Sequence, residues 1–297
     1  MTFDKISALE IVKHSWQGKV RDIYDLGDKL LIVTTDRVSA FDVVFPNLIP
    51  DKGKILNKIS AYFFRTTNTI ISNHFITDDT TEYPLELKPF FNEIADRSML
   101  VRKTRVIPFE CIVRGYITGS AWNEYKRTGT IGNMLMPEGM LESQRFHHPL
   151  FTPSTKAENG HDENISYRDM LYRMDERLAC YLKDKSLELY TYAHDKLMKN
   201  DLILADTKFE FGTIGPEVIL IDEVLTPDSS RLWDKESYEI GKTPLSFDKQ
   251  FIRDFVTDSG WDKNPPAPLL PEEVINRTRD KYIQSYKIIT GDFDKQW

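Results

Sequence analysis

The sequence predicts an α+β fold. Strand-like and helix-like segments are mixed without the regular βαβ alternation of a parallel sheet. Strand signals crowd into roughly the first hundred residues, and two strand-length runs near residue 210 are joined by a Gly-Pro turn, as in a hairpin. A small β-rich lobe over residues 1–110 and a larger α+β lobe over residues 111–297 are expected.

The elements follow in order. "KVRDIYDLGDKLLIVTT" reads as a β-hairpin, Lys19 to Asp25 and Lys29 to Thr35, with Gly27 and Asp28 in the turn. "ILNKISAYFFRTTNTI" has apolar residues at positions 55, 56, 59, 63 and 70, the spacing of an amphipathic helix. "SMLVRKT" and "FECIVRGYI" read as strands, and "GSAWNEYKRTG" as a short helix closed by Gly129. Residues 130–166 are rich in turn formers, and "TPSTKAENGHDENIS" is a long polar loop. Composition makes that loop a connector; its length also fits a lid or binding loop. A helix is expected from Tyr167 to Lys199 after an N-cap at Ser166. The strands "LILADTKFEFG" and "EVILIDEV" come next, then "FDKQFIRDFV" and "PEEVINRTRDKYIQSYKII" as helices, with Pro271 in a first turn.

Composition narrows the function. The 297 residues are 40% hydrophobic and 29% charged, enough to build a sizeable core. No run approaches the roughly 18 apolar residues of a membrane span, and "MTFDKISALEIVKHSW" lacks the apolar stretch of a signal peptide. Cys111 and Cys180 lie in apolar settings that suit buried, reduced thiols. A cytoplasmic protein without a membrane partner is expected. A net charge of -7 argues against a nucleic-acid partner, which would need a basic face. Local Lys and Arg clusters can still hold a small anion.

Chemistry concentrates near residue 210. In "DTKFEFG", strand alternation puts Asp206, Lys208 and Glu210 on one face and the phenylalanines on the other. The ordinary reading is a solvated strand face. The next strand ends in Asp222 and Glu223, within "ILIDEVLTPDSSRLW". Carboxylates there are costly to bury unless paired or metal-bound. If Asp222 converges with Glu210, two carboxylates completed by phosphates would suit Mg²⁺. No Cys or His cluster has zinc-ligand spacing, and His147–His148 is an isolated pair in a loop. "QGKVRDIYDLGDK" places Gly18, Lys19 and Arg21 on a hairpin that can cover phosphates, or that merely protects a sheet edge. "DRVSAFD" sets Asp36, Arg37, Ser39 and Asp42 after a strand, where turn and capping roles are the default. Arg114 at a strand end and Ser120 near a helix start form a phosphate or carboxylate site, although Ser120 could simply cap that helix. Arg231 follows the acids, where its ordinary partner would be Asp228. Together these describe a nucleotide, a divalent cation and a further anionic ligand. No nucleophile elbow is present.

The segments "GKVRDIY", "DRVSAFD", "VRGYITGSAW", "TPSTKAENGHDENIS", "ADTKFEFG" and "IDEVLTPDSSRLW" resemble, in the same order, the SAICAR synthetase family in its longer, fungal-type form. The resemblance implies a two-lobed fold related in arrangement to kinases and ATP-grasp enzymes, the N-terminal lobe clamping ATP. It implies an ATP-dependent ligase of purine synthesis joining L-aspartate to carboxyaminoimidazole ribotide (CAIR), with Mg²⁺. Carried over by residue, Gly18, Lys19 and Arg21 cover the ATP phosphates, and Glu210 and Asp222 serve nucleotide and metal. Lys208 and Asp206 lie near the reacting groups. Arg114, Ser120 and Arg231 grip the ribotide phosphate, with Asp228 a polar contact. Asp36, Ser39 and Lys156 mark the neighbourhood of aspartate, and the backbone of "FECIV" would meet adenine. The long form leans toward a monomer. A kinase on a similar scaffold is the alternative, but the H-R-D-L-x-x-x-N and D-F-G signatures of protein kinases are absent. A non-catalytic nucleotide-binding regulator is a third reading, and the intact acid-and-lysine set counts against it.

Overall fold

The computed structural model describes residues 15–156, 163–247 and 249–297. The stretch read for a leader up to residue 14, and residues 157–162 of the polar loop, lie outside the described residues.

Chain order begins with β1 (Ser15–Gln17), β2 (Arg21–Asp25), β3 (Lys29–Thr34), β4 (Arg37–Ala40) and β5 (Val43–Leu48), followed by α1 (Lys52–Thr67) and β6 (Phe75–Thr77). Next come α2 (Phe91–Ile94), β7 (Ser98–Arg102), β8 (Arg105–Tyr116), α3 (Gly119–Thr128), β9 (Thr130–Ile131), β10 (Met134–Leu135), β11 (Arg145–Phe151) and β12 (Ser154–Thr155). The remainder is α4 (Tyr167–Arg173), α5 (Glu176–Met198), β13 (Leu202–Ile214), β14 (Glu217–Ile221), β15 (Ser230–Asp234), α6 (Gln250–Asp258) and α7 (Glu272–Thr290).

Two larger sheets organise the described residues, beside the two-stranded pairs β4-β5 and β9-β10. The first runs β1-β2-β3-β7-β6, and the second runs β11-β8-β13-β14, with β12 also on β8 and β15 on β13. Their named strands pair antiparallel, as an α+β chain of hairpins requires. β8 runs unbroken through residue 110, so the expected lobe boundary falls inside a strand. One apolar core, which includes Ile32, Phe63, Phe209, Leu220 and Tyr282, connects both sheets. Helix α1 buries Ile55, Leu56, Ile59, Phe63 and Phe64 between the first sheet and α7. Emptying one such aromatic site costs about 3–5 kcal/mol.

Local differences from the sequence reading have simple causes. The helix expected over residues 167–199 breaks at Met174, which is extended, and restarts because Asp175 accepts from the Leu178 N–H as an N-cap. The expected cap at Ser166 forms, as a full capping box with Asp169. Pro271 sits just before α7 as its N-cap. Residues 130–151 hold the short β9-β10 hairpin and β11, and His147 and His148 belong to that strand. Cys111 is buried, and burial pushes its thiol up to about 12. Cys180 is exposed, contrary to expectation, because it faces outward on α5.

Candidate active site

The site grows from the register of two strands. β13 sets Asp206 opposite Arg114, Lys208 opposite Ile112 and Glu210 opposite Glu110 on β8. Residues directly opposite share a face, so Glu110 and Arg114 join the charged row on β13. Phe209 and Phe211 point the other way and are fully buried. The apolar side anchors the strand while the charged side faces a cleft.

Lys208 occupies the middle of that row. Its Nζ lies 2.6 Å from Glu110 and 2.9 Å from Glu210. Burial opposes its charge, but Glu210, Glu110 and Asp222 outweigh this and raise it above an ordinary lysine. It is therefore a positive charge at neutral pH. Lys156 reaches Glu210 from the edge of the polar loop, and Ser154 donates to Glu110 at 3.0 Å. The base of that loop is pinned, with Thr155 N–H on the Glu163 carbonyl (2.9 Å) and Ile165 N–H on the Pro153 carbonyl (3.0 Å).

At one end of the row two arginines converge. Asp206 accepts from Arg114 at 3.2 Å and from Arg231, which sits opposite it on β15. Arg114 also donates to Thr152 at 2.9 Å and to Ser120 at 3.3 Å. Burial lowers the Arg114 pKa despite the opposing pull of Asp206. Thr118, not Ser120, holds the N-cap position of α3, so capping does not explain Ser120. Gly119 has φ 57°, and a Cβ there would lie 2.3 Å from the Arg231 guanidinium. Only glycine lets Arg231 lie against this turn. Arg114, Ser120, Asp206, Lys208, Ser230 and Arg231 line a cleft of about 190 Å³. Ser120 also borders an adjoining depression of about 510 Å³ that includes Asn123, Arg127 and Asn164.

At the other end stands Asp222. The register places Ile221, not Asp222, opposite Glu210. Asp222 lies past the last paired residue with φ 68°, so a left-handed turn sets its direction instead of strand alternation. Arg21 grips it with two nitrogens, at 2.6 and 2.9 Å, and approaches Glu223 at 3.5 Å. Burial works against the Asp222 carboxylate, yet Arg21, Lys208 and Lys156 hold it well below the usual carboxylate range. Lys156 and Lys208 also contact Glu210, so the two acids share one set of cations. Residues 72–74 brace this strand end: Leu220 N–H donates to the Ser72 carbonyl and His74 N–H to the Leu220 carbonyl. The buried His74 ring is neutral, burial driving its pKa down to about 3.

The other expected residues are held by different partners. Asp228 is enclosed: Lys52 lies 2.8 Å away, Tyr282 donates to it at 2.7 Å, and Lys249 stands at 3.5 Å. Burial opposes its charge, but Lys249 and Lys52 hold it well below the carboxylate range. The residue borders the smaller cleft beside Ser230 and Arg231, but its carboxylate is turned to Lys52 and buried, and Arg231 pairs with Asp206. Asp36 is fully buried, tied to Arg97 at 3.2 Å and to the Gly53 N–H at 2.9 Å, and so anchors the start of α1. Ser39 is half-buried on β4 opposite Val44 and, among the described residues, no hydrogen bond joins it to the cleft. Lys19 is exposed and pairs with exposed Asp42 at 2.6 Å. The backbone of residues 109–113 is flanked by β13 on one side and by β11 and β12 on the other, so it forms a sheet interior and not an open hinge.

Sequence reasoning passed over Glu110, Lys52 and Arg253, the last of which borders the smaller cleft. Glu110 was within reach: in "FECIVRGY" it shares the alternation of Arg114. Lys52 carried no signal, because its burial depends on α7.

Among the described residues no group of three or more His, Cys, Asp or Glu could hold a metal alone. Glu210 and Asp222 supply hard oxygen donors of the kind Mg²⁺ takes when phosphates complete its shell.

Comparison with known proteins gives a consistent result. The family model for SAICAR synthetase matches residues 14–268. The phosphoribosylaminoimidazole-succinocarboxamide synthase of Elusimicrobium minutum is 52% identical over 271 residues, 91% of this chain and 93% of the relative. That of Syntrophobacter fumaroxidans is 48% identical over 276 residues, 93% of this chain and 92% of the relative. The SAICAR synthase of Saccharomyces cerevisiae, solved in complex with SAICAR, superposes with a TM-score of 0.90 at 41% identity, covering 100% of this chain and 99% of that one.

Proposed function

The chain belongs to the SAICAR synthetase family, and from that premise we propose how its cleft works. It is an ATP-dependent ligase of purine biosynthesis that joins CAIR and L-aspartate, forming an amide.

A carboxylate is a poor electrophile. Transfer of the γ-phosphoryl group of ATP to a CAIR carboxylate oxygen breaks the bond to ADP and makes phosphate the leaving group. The aspartate amine then attacks the carbonyl carbon, the carbon–oxygen bond to phosphate breaks, and the amine loses a proton. Such chemistry requires chiefly positioning and charge neutralisation. Lys208, fixed as a cation between Glu110 and Glu210, neutralises charge where phosphate is transferred. Arg114, Ser120 and Arg231 hold the ribotide phosphate, and Asp206 aims the two arginines without reacting itself. The turn at Gly18 and Lys19, with Arg21, covers the ATP phosphates, giving the N-terminal sheet its clamping role. Glu210 and Asp222 would hold Mg²⁺, whose charge would stabilise the ATP phosphates when bound. Lys156, at the exposed edge of the charged row, is the remaining candidate for an aspartate carboxylate; Asp36 and Asp228 are structural in this reading. Likeness to the long form supports a monomer.

The observation that carries this reading is the sheet face on which Lys208 separates the arginine pair from Glu210, with Asp222 just beyond the end of β14. The test is ADP release in a coupled assay with ATP and Mg²⁺, omitting CAIR and aspartate in turn. Release requiring both, with SAICAR formed, is expected. Release with CAIR alone would point to a kinase.

A further inference from the structure

The segment "TTDRVS" is left without a role once Asp36 proves buried. Its neighbour Arg37 is also buried, yet its guanidinium points at the turn between β1 and β2. Nε donates to the Lys19 carbonyl at 3.3 Å and Nη2 to the Gly18 carbonyl at 3.2 Å. Asp22 holds the guanidinium in place, 2.5 Å from Nη2 and 3.4 Å from Nη1. The third carbonyl of the turn, Val20, accepts from both the Thr35 N–H (2.9 Å) and the Thr35 hydroxyl (2.8 Å). The turn itself is tight, with Gly18 N–H on the Arg21 carbonyl at 2.7 Å. A Cβ at Gly18 would lie 2.9 Å from that oxygen.

A trans peptide sets its N–H antiparallel to its C=O. Holding the carbonyls of Gly18, Lys19 and Val20 inward therefore turns the N–H groups of Lys19, Val20 and Arg21 outward. Among the described residues neither the Lys19 nor the Val20 N–H has a backbone partner. Successive outward N–H groups form a concavity suited to an anion.

We propose that Arg37, assisted by Thr35, is a positioning residue for ATP: it holds the turn's carbonyls so that the amides of Lys19 and Val20 meet the phosphates. The inference rests on the reading that this turn covers the nucleotide. Arg37 is sequestered from the substrates and acts only through the backbone it holds.

The test measures ADP affinity by calorimetry, together with KM for each substrate, in Arg37→Lys and Thr35→Val. Lysine keeps the charge but cannot reach two carbonyls and Asp22 at once. Arg37→Lys is expected to weaken ADP binding and raise KM for ATP about tenfold, while KM for CAIR and aspartate stays within about twofold. Thr35→Val, which keeps shape and loses one hydrogen bond, is expected to show the same selectivity at about threefold, and it serves if Arg37→Lys does not fold. Unchanged ADP affinity in a folded variant would overturn the inference alone. So would a parallel rise in all three KM values, which marks a general structural role. Failure of the wild-type protein to bind ADP would overturn the nucleotide assignment and this inference with it.

Discussion

The face of β8 and β13 and the core behind residue 228 both hold carboxylates between cations, yet they are built for different ends. On the sheet face each acid is bound by a cation that borders open space: Lys208 is 28% exposed and Lys156 40%. Behind it, Lys52 and Asp228 are 0% and 2% exposed, and Tyr282 closes the pair. Cleft cations can exchange a protein carboxylate for a substrate's; core cations cannot. A strongly held carboxylate is thus no sign of catalysis by itself. Asp222 and Asp228 are both held far below the usual range, and the second, although its residue borders the cleft beside Arg231, turns its carboxylate to Lys52 in the core.

The sharpest way to break this contrast is Asp228→Asn. Removing one partner of a buried pair strands the Lys52 charge, and a loss of about 3–5 kcal/mol of stability is expected in denaturant unfolding. A loss below about 1 kcal/mol would mean that the core pair is as replaceable as the cleft pairs. Lys208→Met is the counterpart in the cleft. Turnover should fall by about 10²–10³, corresponding to about 2.7–4 kcal/mol of transition-state stabilisation, while stability changes far less than in Asp228→Asn. Steady-state kinetics and unfolding on the same sample would show whether the two effects separate.

Tyr282→Phe refines the core side. It deletes one hydrogen bond to a charged acceptor, so about 1.5–3 kcal/mol should be lost with KM values unchanged. A selective rise in KM for CAIR would instead tie α7 to the ribotide site. The smallest effect concerns His74, beside the Asp222 end of the charged row. Its pKa is lowered from 6.5 to about 3, so the unfolded chain takes up a proton that the folded one refuses. Its contribution is fully present above pH 6.5 and is lost as pH falls from 6.5 toward 3, with a slope of up to about 1.4 kcal/mol per pH unit. His74→Gln should flatten the pH dependence of stability over that window; an unchanged slope would refute the buried neutral ring.

Parts of this architecture were legible in the sequence. The strand alternation of Asp206, Lys208 and Glu210 needed only a period of two, and the β2-β3 hairpin and α1 followed from apolar spacing and a Gly turn. The resemblance in "VRGYITGSAW" and "TPDSSRLW" grouped Arg114, Ser120 and Arg231, which the fold brings together around Asp206. Asp36 and Asp228 looked similar to these in sequence, because a short polar segment reads alike whether its side chains face a cleft or a core.

The sequence by itself determined the periodicity of each element, the caps at Ser166 and Gly129, and the family to which the whole chain is similar, since these depend on neighbours a few residues apart. Tertiary structure alone decided which charges meet. Arg21 reaches Asp222 across 201 positions, and Lys208 reaches Glu110 across 98. The left-handed turn that frees Asp222 from strand alternation, and the closure of α7 over Lys52 and Asp228, are likewise decided by packing. A carboxylate's partner is set by where the chain returns in space, and a sequence records distance along the chain only.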